Sequence, residues 1–251
     1  MHSEPAPDEF SRCWRAAGRH LQNCAQGGLQ SWLRAHLNPP FLEHLSFRLG
    51  NQLFFVRLED VDGDLDTPGT MEGLQAVAEG CRGHACLMPM RRSGHEWGPS
   101  ESGWGLIDAR TRRAVNPPAL ISDENIVMTD WELQDFAVQV VRDYLQKEGK
   151  QLMSWNGDPR VNPSLWFVGE HGPEWVVVRT VRYPERAAPR PANLPQIKEQ
   201  LARASHRGHF ASVALVSAEE RFDRDPTNGA TVTPLFRGHG MYVNFAGLEG
   251  V

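Results

Sequence analysis

The side chains best placed to do chemistry in this chain are carboxylates. Glu59-Asp60-Val61-Asp62-Gly63-Asp64-Leu65-Asp66 is its densest acidic run. Alternating aspartates around a glycine can converge on one hard cation, which is the logic of a calcium loop. The register departs from an EF-hand: counted from Asp60, glycine falls at position four rather than six, and position twelve is Met71 rather than a bidentate glutamate. A solvated acidic turn before a helix explains the run. Asp60, Asp62, Asp64 and His84 are the set to test as ligands should a divalent ion bind.

Histidine and cysteine offer less. His84 and His209 each follow Arg-Gly, at the entrance to an apolar segment. Such a pair could share a ligand, but a side-chain hydrogen bond at a helix-to-strand turn explains the same placement. Cys81 and Cys86 flank Arg-Gly-His-Ala, so a zinc site there would draw three ligands from six consecutive residues, with no second hook. Cys13 and Cys24 fall in one helical stretch, Phe10 to Cys24, and a rise of ~1.5 Å per residue sets them about 16 Å apart. That is too far for a disulfide. The four cysteines therefore read as reduced thiols, and the chain as cytoplasmic.

No Gly-x-Ser-x-Gly elbow is present, and Ser100 to Gly105 lacks the strand-then-helix setting of one. There is no GxGxxG and no Walker loop, so no cofactor is expected. Arginines cluster at Arg91-Arg92, Arg110 to Arg113 and Arg182 to Arg190, near Trp97, Trp104 and Tyr183. Arginine beside aromatic residues can bind nucleic acid. The chain's net charge of −5 favours a solvated surface instead. Trp97 and Trp104 lie in a Gly/Pro/Ser-rich loop, Ser93 to Gly105. They either form a partner-binding surface, as exposed tryptophan often does, or fold back over the sheet as a lid.

The elements that must position these groups come in two sets. Arg82-Gly83-His84 recurs as Arg207-Gly208-His209, an offset of 125. Leu37-Asn38-Pro39-Pro40 parallels Val161-Asn162-Pro163-Ser164 at 124, and Phe54-Phe55-Val56-Arg57 parallels Val176-Val177-Val178-Arg179 at 122. Three matches in one order at half the chain length point to two similar lobes, residues 1–120 and 121–251. In the second, Thr129-Asp-Trp-Glu132 is a capping box. Leu133, Phe136, Ala137, Val140, Val141, Tyr144 and Leu145 make one helical stripe, closed by Gly149.

Strands are expected at Gln151 to Trp155, Ser164 to Val168 and Glu174 to Val181. A helix from Gln196 to Ala204 and strands at His209 to Ser217 and Met241 to Phe245 complete the lobe. The first lobe reads similarly: helix Leu29 to Leu37, strands His44 to Leu49 and Gln52 to Leu58, helix Met71 to Glu79, strands Ala85 to Met90 and Gly105 to Ala109. Trp14, Trp32, Trp131, Trp166 and Trp175 sit in these patterns as core. The fold class is α/β in the α+β sense: two tandem lobes, each a small mixed sheet flanked by helices.

The order α-β-β-β-α-β over about Thr129 to Ser217 resembles the core of the PD-(D/E)xK, or restriction-endonuclease-like, superfamily. That resemblance implies a magnesium site, with an aspartate starting the second strand and Glu-x-Lys on the third. Here the first position reads Asn162-Pro163-Ser164 and the third strand Val177-Val178-Arg179-Thr180-Val181-Arg182. Neither has a carboxylate or a lysine. Glu132 stands where such nucleases sometimes carry an acid, and its capping role accounts for it.

At 40% hydrophobic and 23% charged, the 251 residues are ordinary for a globular chain. No apolar run is long enough to span a bilayer, and MHSEPAPDEF is acidic where a signal peptide is basic and then apolar. The expectation is a bacterial, non-enzymatic binding protein on a degenerate nuclease-like scaffold. Its binding residues would be Trp97, Trp104, Arg91, Arg92 and Arg110, and its partner a protein in preference to nucleic acid or membrane. The competing expectation is a metal-dependent hydrolase acting on nucleic acid.

Overall fold

The computed structural model describes residues 9–26, 29, 31–32, 43–220 and 232–251. Two compact units divide between Glu124 and Asn125.

In the first unit, Cys13, Trp14, Ala17 and Leu21 fall on one stripe of helix α1, Glu9–Cys24, and are buried. They cover one face of a sheet made of β1 (Ser31–Trp32), β2 (Leu45–Leu49), β3 (Gln52–Asp60), β4 (His84–Ser93) and β5 (Glu96–Pro99), in that order. A short β6, Ile107–Asp108, pairs with the start of β4. Alternation puts Phe54, Val56 and Leu58 of β3 with Cys86, Met88 and Met90 of β4 on the α1 side. Helix α2 (Met71–Gly80), capped by Thr70 Oγ1 accepting from the Gly73 amide at 3.0 Å, packs against both strands. Among the described residues of this sheet only β3 and β4 run parallel, because α2 provides the crossover between them.

The helix expected over Leu29 to Leu37 is corrected at its start. Ser31 and Trp32 are extended and pair with Arg48 and Phe47 at the sheet edge. Pairing with an open edge overrides a short stretch's local preference. The remainder of that expectation, the Leu37–Pro40 motif and the Trp32 side chain lie outside the described residues.

The second unit repeats the scheme. Helix α3, Asp130–Lys147, starts at the expected capping box: Thr129 Oγ1 accepts from the Glu132 amide (3.2 Å) and Glu132 Oε2 accepts from the Thr129 amide (2.8 Å). It ends with Gly149 at φ +73°, where the Lys150 amide donates back to the Leu145 carbonyl at 2.9 Å. Strands β7 (Gln151–Trp155), β8 (Leu165–Gly169) and β9 (Gly172–Arg182), helix α4 (Leu194–Leu201), and strands β10 (Gly208–Ser217) and β11 (Met241–Phe245) follow. The sheet order is β7-β8-β9-β10-β11, with β12 (Glu249–Gly250) on β10, and again only the pair joined by a helix is parallel. Trp175 and Val177 pack with Leu194 and Ile197 of α4, while α3 packs on β9 and β7. β9 is buried on both faces, as its unbroken β-branched run requires.

The two sheets share register as well as order. Phe54 lies opposite His84 in one, and Val176 opposite His209 in the other. These are the pairs that the 122 and 125 offsets bring into correspondence. The chain leaves the two sheets alike: the Val61 amide donates to the Met90 carbonyl (3.0 Å), the Tyr183 amide to Leu215 (2.8 Å).

The glycine before each histidine has a steric role. A Cβ on Gly83 would meet Phe55 Cε2 at 2.8 Å, and one on Gly208 would collide with the Trp175 indole. Gly83→Ala and Gly208→Ala should each cost about 1–3 kcal/mol by overpacking, Gly208→Ala the more. Chemical denaturation reads both, and a loss within error at Gly208 would contradict this packing.

Candidate functional site

The surface of the first unit between α1 and β5 gathers a group of arginines. Arg12, Arg15 and Arg19 are spaced by three and four along α1, so they share one face, away from the buried stripe. Facing them are His95, Glu96 and Trp97 of the β4–β5 hairpin. With His20 these residues line a groove of about 620 Å³. Trp97 Nε1 donates to Glu9 Oε2 at 3.0 Å, Arg12 pairs with the same carboxylate, and Arg92 lies 3.4 Å from it. The Trp97 hydrogen bond, then Arg12 and Arg92, hold the Glu9 carboxyl below its ordinary value. His20 Nε2 bonds the Gly103 carbonyl at 3.0 Å, tying the loop after β5 to the helix.

The five residues expected to form one binding surface separate. Trp97 belongs to strand β5, not to a loop, and packs partly on the core. Trp104 stacks on Phe47 with centroids 6.2 Å apart, so it is a lid on the core. Arg92 faces Glu9, whereas alternation turns Arg91 to the opposite face. Arg110 follows β6 beside Ala85, seven residues down β4 from Arg92, or roughly 23 Å at ~3.3 Å per residue. Arg92 and Trp97 remain together.

The alternative metal set also separates. Asp60 accepts from the backbone amides of Asp62 (3.0 Å), Asp64 (3.0 Å) and Leu65 (2.9 Å), which fixes the acidic turn. Glu59 is paired with Arg112 at 2.8 Å. Asp60 lies opposite Met90 and His84 opposite Phe54, at the two ends of the parallel pair and about 20 Å apart at ~3.3 Å per residue. Among the described residues no three His, Cys, Asp or Glu side chains converge. Burial pushes the Cys13 and Cys86 thiols up to about 12, so neither supplies a thiolate near neutrality.

Each strand-entrance histidine is hydrogen-bonded within its own unit. His84 Nε2 lies 3.1 Å from Gln52 Oε1 and stacks on Phe54; His209 Nε2 lies 2.7 Å from Glu174 Oε2. Gln52 and Glu174 correspond at the 122 offset. The partner thus lies near the start of the neighbouring strand, rather than in the helix-to-strand turn.

In the second unit, Asn162 Oδ1 accepts from Arg179 Nη2 at 2.8 Å. Arg179 also donates to the Val178 carbonyl (2.7 Å), and burial lowers its pKa. Glu132 is bound on both oxygens by Arg237, Nε at 2.7 Å and Nη2 at 3.1 Å, in addition to its capping bond. Local pattern reveals the cap, but nothing in the sequence marks Arg237 as its partner. Trp131, expected in the core, is half-buried under the Arg160 guanidinium, 4.9 Å from its ring centre.

A cleft opens past the carboxyl ends of the parallel strands in each unit, the usual ligand position in such sheets. In the first it is about 540 Å³ and charged, with Arg57, Glu59, Asp60 and Arg112. In the second it is about 310 Å³ and largely apolar, with Val127, Tyr183, Leu215 and Leu235.

The fold and sites define a class of chain built of two α+β units with one topology and differing surface chemistry. A family described as a domain of unknown function, DUF8840, matches residues 131–251. That span covers nearly all of the second unit and none of the first. No curated protein and no solved structure matches the chain.

Proposed function

We propose that this chain is a non-enzymatic binding protein of the bacterial cytoplasm, built on a scaffold resembling a nuclease core that has lost its metal ligands. The α-β-β-β-α-β order of both units supports the resemblance. The observation that carries the loss is the Asn162–Arg179 hydrogen bond of 2.8 Å. A cationic guanidinium and a neutral amide stand where a dication would need negative oxygens. In the first unit the matching residue, Arg57, is likewise cationic, and Asp60 already accepts three backbone amides. Binding then proceeds by surface complementarity, with Arg92 and Trp97 at the surface presented.

Calorimetric titration with magnesium, manganese and calcium should give no saturable heat, and nucleic acid incubated with protein and metal should stay intact. A tight site abolished by Asp62→Ala/Asp64→Ala, or metal-dependent cleavage, would replace this reading with that of a hydrolase.

A further inference from the structure

We propose that the groove between α1 and β5 binds single-stranded nucleic acid, with Arg12, Arg15 and Arg19 on phosphates and Trp97 against a base. The inference rests on the reading of the chain as a binding protein and names its ligand. Three features carry it. First, the cations are arranged by the fold: one helical face supplies three guanidiniums over about 10 Å, at ~1.5 Å rise per residue. Second, they are all arginines. No lysine precedes Lys147, so every lysine-type point charge is absent from the first unit, and the planar forks suit phosphate oxygens.

Third, an indole shares the groove. Trp97 packs partly on the core, lines the groove with the rest, and has its ring orientation set by the bond to Glu9. Cations and an aromatic ring together are what a nucleotide chain uses, phosphate and base at once. An acidic peptide would use the cations alone. The chain's overall negative charge does not oppose this, because fields beyond roughly 8–10 Å are screened at physiological salt while the arginines act on contact.

The clusters at 110–113 and 182–190 each have at least one arginine with a carboxylate partner. Arg112 is paired with Glu59, Arg182 with Asp130 and Arg190 with Glu249. Beside the groove Glu9 pairs with Arg12 and Arg92, and Glu96 is part of the lining, while Arg19 is exposed on the open face.

The test is fluorescence anisotropy of a labelled oligothymidylate titrated with the full chain at several salt concentrations. Three phosphate contacts predict a log–log salt slope near −2, which is roughly a twenty-fold weakening between about 50 and 200 mM. Arg15→Gln/Arg19→Gln should weaken binding at least ten-fold at low salt and flatten the slope by about 1.4. Arg203→Gln, an exposed site in the second unit, should change neither. Trp97→Phe, which keeps an aromatic ring, should bind more tightly than Trp97→Leu at equal fold stability.

Absence of saturable binding, equal loss in Arg203→Gln, or competition by polyglutamate as effective as unlabelled oligonucleotide would overturn the inference, the last assigning the groove to acidic protein segments. None of these results touches the non-enzymatic reading, which fails separately, on metal binding or cleavage.

Discussion

Replacing Arg237 with methionine should cost about 3–5 kcal/mol, the largest single effect expected outside the core. Its side chain is 1% exposed and that of Glu132 is 6% exposed, so the two charges have surrendered nearly all their water. The bidentate contact, 2.7 and 3.1 Å, offsets that loss only while both partners are present. Removing the guanidinium leaves an anion buried beside the start of α3. Glu132→Gln should be nearly as costly, since it strands the cation and weakens the capping box. The double variant Glu132→Gln/Arg237→Met should recover a substantial part of the loss, because a buried pair replaced by neutral groups is often close to neutral. Urea denaturation checks this through the midpoint at constant m. A cost under about 1 kcal/mol for Arg237→Met would mean that water reaches the pair.

Truncating Trp14 to alanine should cost about 3–5 kcal/mol and also abolish the groove. The ring is fully buried among Phe47, Phe54, Met88 and Met90, and no atom of it lines the groove. Yet α1 is held on the sheet by this stripe, and Arg12, Arg15 and Arg19 ride on the other side of the same helix. Loosening the helix should therefore weaken oligonucleotide binding without removing a single contact to it. Trp14→Phe, which refills part of the volume, should keep most of both. Thermal melting and anisotropy on the same samples test the coupling: full binding by a strongly destabilised but folded Trp14→Ala would show that α1 is not what organises the site.

The elements legible in the sequence are those whose stability is local or whose pattern is periodic. The Thr129 to Glu132 box and the stripe from Leu133 to Leu145 place α3 almost to the residue. The β-branched run of β9 and the apolar run of β10 place both parallel strands of the second sheet. Strand β5 is not legible. Glu96-Trp97-Gly98-Pro99 has a loop's composition and becomes extended only because it pairs with β4. The Glu132–Arg237 pair spans 105 positions, and only the folded unit brings it together. The groove has a sequence signal of a different kind from adjacent arginines. Arg12, Arg15 and Arg19 are scattered along the line of the chain and contiguous only when wound at 3.6 residues per turn.

The shared strand register carries a lesson about relatedness. What the two units hold in common is a set of backbone pairings, the opposition of Phe54 to His84 and of Val176 to His209, together with the same exit hydrogen bond. Main-chain groups make those bonds whatever side chains stand on them. The rims above are thus free to diverge, one to ionic groups and one to grease, while the frame persists.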